Sequence, residues 1–169
     1  MDEDTRARIL KKNVVDYITK ENAQVYEYLT RLLSRLEKNK KVGVLVVDDS
    51  RVGRNAMVTL LRRHNFITYE AGDGQQGLDA LRRYNNIKLA IVDENMPVMS
   101  GLQMLCELRR NVTKEDLAVI GISADNSSGL SARFIKSGAN DYLHKPYCHE
   151  EFFCRIMPVS YTHLTLPTN

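Results

Sequence analysis

Five polar residues with reactive or metal-ligating side chains each follow an apolar run of the sequence: Asp48, Asp49, Asp93, Ser123 and Lys145. Three carboxylates gathered in one place repel one another and raise one another's pKa unless a cation compensates. Because the set offers oxygen ligands without histidine or cysteine, the expected ion is a hard one. Mg²⁺ fits best, since it keeps part of its water shell and accepts phosphate oxygens as further ligands. The sequence therefore predicts a magnesium site.

The other two polar residues of this set extend the chemistry. The ammonium group of Lys145 and the hydroxyl of Ser123 are suited to hold the remaining oxygens of a phosphoryl group, through charge-assisted and neutral hydrogen bonds. An acidic residue after a strand is often only a loop residue, so the interpretation depends on the whole set. Taken together, the five residues indicate phosphoryl transfer.

From residue 42 onward, short apolar runs alternate with amphipathic stretches, and these elements must position the polar set. The alternation is typical of a doubly wound α/β fold with a parallel sheet, in which ligands bind beyond the carboxyl ends of the strands. The predicted strands are Val42–Val47, Phe66–Tyr69, Leu89–Val92, Leu117–Ile122 and Ala139–Leu143. The predicted helices are Val52–His64, Gly74–Tyr84, Gly101–Arg110, Ser128–Ser137 and Glu150–Met157.

Four short motifs make residues 42–158 resemble the receiver domain of a two-component response regulator. They are Val44-Leu45-Val46-Val47-Asp48-Asp49-Ser50, Asp93-Glu94-Asn95-Met96-Pro97 with Gly101, Ser123-Ala124, and Lys145-Pro146. Each motif is weak alone, but their order and spacing both agree with the family. The resemblance implies a five-stranded parallel sheet of flavodoxin-like order 2-1-3-4-5.

The resemblance also implies roles for individual residues in a phosphorelay. Asp93 would be the phosphoacceptor for a phosphoryl group from a sensor histidine kinase or a phosphotransfer protein. Asp48 and Asp49 would hold Mg²⁺ together with the Asp93 carboxylate and the backbone carbonyl of Asn95. Ser123 and Lys145 would contact the phosphoryl oxygens. Such a domain assists its own phosphorylation and dephosphorylation and is not an enzyme acting on a separate substrate.

Tyr142 matches the aromatic switch residue of the family, although a tyrosine that simply closes the last strand would look the same. After phosphorylation, Ser123 would move toward the new oxygens and the Tyr142 ring would take the space that it leaves. The expected output surface is the fourth helix, fifth strand and fifth helix of the receiver domain, including Arg133, Phe134 and Lys136.

Residues 1–41 form a different kind of segment, for which we expect a helical arm. Val25, Leu29, Leu32 and Leu36 recur at intervals of three and four and define a narrow apolar stripe. The stripe could pack on its own domain or pair with a second chain, so a homodimer could form through the arm or the last helices. The run Asp16-Tyr17-Ile18-Thr19-Lys20 also resembles Asp141-Tyr142-Leu143-His144-Lys145, which suggests a remnant of a preceding receiver.

Residues 159–169 have no helical period and resemble the translation of a sequencing adaptor, so we expect a non-native tail. The stretches 131–142 and 150–155 resemble receivers that precede diguanylate cyclase domains. The domain could therefore be the regulatory part of a cyclase whose catalytic domain is missing, since these residues contain no cyclase motif.

The charge distribution argues against a nucleic-acid partner. Residues 1–41 hold 10 Lys and Arg against 7 Asp and Glu, whereas the rest of the chain holds 14 of each. A neutral core lacks the basic surface that phosphate backbones require.

The sequence also bears on the location of the protein. No apolar run is long enough to cross a bilayer and the first residues are acidic, so we expect a cytoplasmic protein. The cysteines are expected to be free thiols, with Cys148 and Cys154 packed in the core.

Two other function classes remain open at this point. A receiver-like module could bind partners without being phosphorylated, but such a module would be expected to lack an acid or the lysine, and this sequence has them all. A haloacid-dehalogenase-like phosphatase would place Asp-x-Asp after the first strand, whereas Asp48 and Asp49 are adjacent.

Overall fold

The structure is a computed structural model that describes residues 14, 24–125, 127 and 129–162 of the 169-residue chain. Within these described residues, five strands alternate with helices and one further helix comes before the first strand. The strands are β1 (Gly43–Val47), β2 (Ile67–Ala71), β3 (Ile87–Asp93), β4 (Ala118–Ser123) and β5 (Asp141–His144). The helices are α1 (Gln24–Asn39), α2 (Arg51–Arg63), α3 (Gly74–Arg83), α4 (Gly101–Leu108), α5 (Leu130–Lys136) and α6 (His149–Thr162).

All neighbouring strands are parallel, and the sheet has the order β2-β1-β3-β4-β5. This confirms the predicted doubly wound fold and its strand order. Because every strand points the same way, the residues that end or directly follow β1, β3, β4 and β5 lie at one edge of the sheet. The topology alone therefore brings the five polar residues to the same side of the molecule.

Successive residues of the central strands face opposite layers of core. Val44 and Val46 pack with Phe152 and Ile156 of α6 on one face of the sheet. On the other face, residues of β1, β3 and β4 pack under α3, α4 and α5. Both faces of the central strands are covered, which is why these strands are almost entirely apolar.

Local capping explains where several helices begin. Ser50 precedes α2 and accepts a hydrogen bond from the Gly53 amide, and Asp73 precedes α3 and accepts one from the Gln76 amide. Ser100 and Gln103 form a reciprocal capping box at the start of α4. These caps fix the loops that carry the polar residues at the sheet edge.

Several predicted boundaries differ from the observed ones. β3 begins at Ile87, two residues before the predicted start, and β5 begins at Asp141 because the Ala139 amide donates to the Phe134 carbonyl and ends α5. α6 continues through Pro158 to Thr162, beyond the predicted end at Met157. Proline removes one backbone donor but leaves later residues free to adopt helical dihedral angles.

Two side-chain predictions were wrong. Cys148 and Cys154 are exposed, because Phe152, Phe153 and Ile156 occupy the buried positions of α6. Phe134 is fully buried, so it does not belong to an exposed output surface as predicted. The physical reason is Gly121 on β4, whose missing side chain leaves the space that the Phe134 ring fills.

The helical arm meets the rest of the described chain at its carboxyl-terminal end. Asn39 donates to the His64 carbonyl at 2.8 Å, and Asn65 donates to the Leu36 carbonyl at 3.3 Å. Closer to the amino-terminal end of α1, Leu33 is 64% exposed and Leu29 is also exposed.

Two predicted segments cannot be compared with the structure. The repeated motif at residues 16–20 and the last residues of the proposed tail, 163–169, lie outside the described residues. In the part of the chain that the structure covers, no helix has the length and hydropathy of a bilayer span.

Candidate functional site

The five polar residues predicted from the sequence converge at the carboxyl edge of the sheet. Asp93 and Ser123 are the last residues of β3 and β4, and Lys145 follows β5 directly. Asp48 and Asp49 follow β1, which lies beside β3 in the sheet. We call Asp48, Asp49 and Asp93 the acidic cluster, since one carboxylate oxygen from each lies within 4.8 Å of the others.

Asp48 is the most firmly held member of the acidic cluster. It is fully buried, and its amide donates to the Ala71 carbonyl at 3.2 Å. Its Oδ1 accepts a hydrogen bond from the Ser50 amide at 2.8 Å, while Oδ2 lies 2.8 Å from the ammonium group of Lys145. These bonds satisfy a buried carboxylate that would otherwise be costly to desolvate.

Lys145 connects two strands and two carboxylates. Its Nζ lies 2.7 Å from Oδ1 of Asp93, and its backbone amide donates to the Ser123 carbonyl at 2.8 Å. Burial works against the charge of Lys145, but the hydrogen bonds and charges of Asp48 and Asp93 outweigh it and raise the pKa of the ammonium group. The peptide bond between Lys145 and Pro146 is cis.

Asp93 lies at the centre of the site. Burial raises the pKa of its carboxyl group, and the hydrogen bond and charge of Lys145 only partly offset this effect. The second oxygen, Oδ2, accepts a hydrogen bond from the Asn95 amide at 3.1 Å. Asp93 is therefore a carboxylate held in a fixed orientation, with one cationic and one neutral donor directed at its oxygens.

The residues of the acidic cluster fit a hard divalent cation. Their donors are carboxylate oxygens, two of the three side chains are buried, and Asp49 is exposed to solvent. This combination suits an ion that keeps some of its water, as Mg²⁺ does. The proposed fourth protein ligand, the carbonyl of Asn95, stays a prediction.

Ser123 is completely buried beside the acidic cluster. Its Oγ accepts a hydrogen bond from the Asp125 amide at 3.0 Å and lies 3.4 Å from the side-chain nitrogen of Asn95. Tyr142 is half-buried, and its ring lies 5.4 Å from that of Phe134. Burial raises the pKa of the Tyr142 hydroxyl, and the nearby hydroxyl of Ser123 partly offsets the effect. The two predicted switch residues are thus neighbours.

A surface cavity of about 400 Å³ adjoins Tyr142. Leu130 of α5, His144 of β5 and Arg155 of α6 contribute to its walls. Arg133 and Lys136, which we predicted to belong to the output surface, are exposed on α5. Residues of α5, β5 and α6 therefore line one cavity that adjoins the predicted switch residue Tyr142.

The sequence analysis missed Arg54, and it assigned no individual role to Glu94 or Gly101. Glu94 accepts the Leu102 amide at 2.8 Å and so attaches the start of α4 to the residue after Asp93. Gly101 lies so close to the Asp93 carbonyl that an added Cβ would be 2.3 Å from its oxygen. Arg54 bonds to the backbone of Asp48. Glu94 and Gly101 belong to a recognised motif, but no sequence signal marks Arg54.

Comparison with known proteins gives a consistent result. The family model described as the response regulator receiver domain matches residues 44–156. A chemotaxis protein CheY homolog of Campylobacter jejuni is 32% identical over 105 residues, which cover 62% of this chain and 81% of that protein.

Solved structures agree with this match. A putative two-component system response regulator/GGDEF domain protein superposes with a TM-score of 0.91 at 36% identity, over 98% of this chain and 67% of that one. The CheX-CheY-BeF3-Mg complex from Borrelia burgdorferi gives a TM-score of 0.64 at 26% identity, over 70% of this chain and 88% of that one.

Proposed function

Because this chain belongs to the response regulator receiver domain family, we propose that Asp93 is the residue that accepts a phosphoryl group. The chain is a signalling module of a two-component phosphorelay rather than a classical enzyme. The observation that carries the proposal is the position of Asp93, whose two oxygens are held by Lys145 and by the Asn95 amide at the centre of the acidic cluster.

The proposed reaction is an in-line displacement at phosphorus. An oxygen of the ionised Asp93 carboxylate forms a bond to the phosphorus of a phosphohistidine as the P–N bond breaks, and the imidazole nitrogen leaves with the electron pair. Lys145 and Ser123 would donate hydrogen bonds to the phosphoryl oxygens. When bound by the acidic cluster and the Asn95 carbonyl, Mg²⁺ would neutralise the negative charge of the transferring group.

We propose that Ser123 and Tyr142 transmit the phosphorylated state to the surface. Ser123 is buried next to Asp93, and Tyr142 lies between Ser123 and the cavity at α5, β5 and α6. A shift of Ser123 toward a phosphoryl group would let the Tyr142 ring move inward and change the shape of that cavity. Arg133 and Lys136 are exposed on α5, the helix that contributes Leu130 to the wall of this cavity.

The proposed phosphodonor is a sensor histidine kinase or a phosphotransfer protein. The Borrelia burgdorferi CheY structure, a relative 26% identical to this chain, was solved with beryllofluoride, Mg²⁺ and a protein partner. The neutral charge balance of residues 42–169 supports protein partners rather than nucleic acid. We also propose that the chain forms a homodimer through α1 or the last helices. The proposed location is the cytoplasm.

For the arm, we propose descent from the closing strand and helix of a preceding receiver. The motif that begins at Asp16 recurs 125 residues later, at Asp141, and each copy is followed by a helix of the described chain. This repetition supports a duplicated unit. The similarity to a response regulator/GGDEF domain protein supports a parent protein with a diguanylate cyclase domain. The sequence of the flanking DNA tests both ideas.

Phosphorylation of the purified chain tests the main proposal. Incubation with acetyl phosphate and Mg²⁺ should add one phosphoryl group to Asp93, detected by intact mass spectrometry and peptide mapping. The Asp93→Asn variant should stay unmodified, and the control Asp79→Asn, which removes an exposed acid of α3, should react like the wild type. A wild-type chain that is never modified would instead indicate a module that binds partners without phosphorylation.

A further inference from the structure

Arg54, in the first turns of α2, links the acidic cluster to the edge of the sheet. Its guanidinium donates to the backbone carbonyl of Asp48 through Nη1 at 2.5 Å and to Oε2 of Glu70 through Nε at 3.2 Å. The Arg54 side chain is only 17% exposed. Glu70 belongs to β2, so the two bonds join the loop after β1 to the neighbouring strand.

The hydrogen bond from Arg54 to the Asp48 carbonyl acts on the backbone that leads into Asp49. The Asp48 carbonyl and the Asp49 amide belong to one planar peptide group, so a bond to this carbonyl fixes the orientation of the whole group. Asp48 is also bonded through its amide and both carboxylate oxygens. In contrast, the Asp49 carboxylate has no hydrogen bond or ion pair to any residue that the structure describes. Its position therefore depends on the backbone that precedes it.

We propose that Arg54 is a positioning residue of the metal site: by holding the Asp48 carbonyl, it orients the peptide group that places the Asp49 carboxylate in the acidic cluster. Glu70 keeps the guanidinium in the required orientation. The inference rests on the proposed function, since it assumes that the acidic cluster binds a divalent cation.

The sign of the effect separates positioning from simple electrostatics. A guanidinium near a cation site repels the cation, so loss of its charge alone should strengthen metal binding. A positioning role predicts the opposite, because a misplaced Asp49 carboxylate is a poorer ligand. Substitution of groups that orient metal ligands commonly weakens metal affinity by about 10- to 100-fold.

The test is a titration of the full chain with Mg²⁺, and with Mn²⁺ as a paramagnetic probe, without any phosphodonor. We expect Arg54→Gln to raise the dissociation constant about tenfold. Arg54→Lys should weaken binding as well, because an ammonium keeps the charge but lacks the planar fork that reaches both partners. The matched control is Arg62→Gln, on the same helix, whose guanidinium approaches Glu70 but has no bond to Asp48.

The possible outcomes of the titration distinguish failure of the positioning role from failure of the metal site. Unchanged or tighter binding by a folded Arg54→Gln variant, or wild-type affinity in Arg54→Lys, would overturn the positioning role while leaving the metal site intact. If the wild-type chain binds neither cation, the metal site itself fails and this inference fails with it. Should Arg54→Gln not fold, Arg54→Lys decides alone, because it keeps the positive charge and loses the planar fork that reaches both partners.

Discussion

The ammonium nitrogen of Lys145 lies 2.7 Å from Oδ1 of Asp93, a residue 52 positions earlier in the chain. The same nitrogen is 2.8 Å from Oδ2 of Asp48. One cation thus separates two buried carboxylates that would otherwise repel each other. The stability of the domain and the reactivity of its site consequently depend on the same three side chains.

Replacement of Lys145 by Met should lower the free energy of unfolding at pH 7. The variant leaves two buried carboxylates without their cation, which we expect to cost on the order of 2 kcal/mol, below the usual value for a fully buried pair because Lys145 is partly exposed. Urea unfolding measures the effect. Lys136→Met, at an exposed position of α5, is the control and should change little. Equal stability of the Lys145 variant and the wild type would contradict the prediction.

The raised pKa of Asp93 predicts a pH-dependent effect of Asp93→Asn. Because burial raises the folded-state pKa above the unfolded value of 3.8, protonation favours the folded state, and this contribution is lost as pH rises through the folded-state pKa. At pH 7 the ionised carboxylate therefore opposes folding. Asp93→Asn should be more stable than the wild type at pH 7, and the gain should shrink as pH falls toward 3.8. A constant difference across this range would refute the assignment.

Gly101→Ala should destabilise the domain by about 2 kcal/mol or more. The added methyl group would lie 2.3 Å from the Asp93 carbonyl oxygen, which belongs to a rigid strand end and cannot easily move away. Gly72→Ala offers a matched control, because its methyl group would meet only the Gln76 side chain at 3.5 Å. Thermal unfolding of both variants checks the prediction, and similar melting temperatures would show that the loop before α4 can relax.

Arg109 should contribute more to stability than any surface arginine of the described helices. Its guanidinium donates to the carbonyls of Gly138, Thr113 and Leu117 at 2.9 Å each, and so ties α4 to the loops beside β4 and β5. Arg109→Met removes these charge-assisted bonds, for an expected loss of about 3 kcal/mol. Arg82→Met, which breaks only an exposed pair with Asp79, should cost less than about 1 kcal/mol in the same urea experiment.

The burial of His64 predicts that the domain becomes less stable in mild acid. Its imidazole is buried against the Phe153 ring at 3.7 Å, and burial together with the nearby His149 lowers its pKa from 6.5 to about 4. The unfolded chain binds the proton first, so stability should fall between pH 6.5 and 4, by up to about 3 kcal/mol. In His64→Leu this part of the pH dependence should disappear. A variant with the wild-type profile would assign the effect to other groups.

The sequence predicted the sheet and the acidic cluster because both follow from local patterns. Apolar runs mark strands, parallel strands end at a common edge, and the residues after Val47, Val92 and Ile122 must therefore lie close together. Asp48, Asp93 and Ser123 accordingly occupy the expected places, and Lys145 joins them from the end of β5.

Contacts between distant segments could not be predicted in this way. The burial of Phe134 on α5 depends on the missing side chain of Gly121 on β4. The contribution of Arg109 to stability depends on hydrogen bonds to carbonyls up to 29 residues away in the chain. Arg54 is similar, since its partner Glu70 belongs to another strand. Such relationships appear only after the elements have packed, because no periodicity in the sequence records which side chains will meet.

The unequal burial of the two adjacent acids, Asp48 and Asp49, has a kinetic consequence. Asp48 is enclosed by the protein, whereas Asp49 faces the solvent. The Asp49 side of the cluster is therefore open to water, whereas the Asp48 side is closed by protein. For the proposed Mg²⁺, Asp49 would therefore be the first protein ligand met on entry, while Asp48 and Asp93 would fix the arrangement that the ion finds inside.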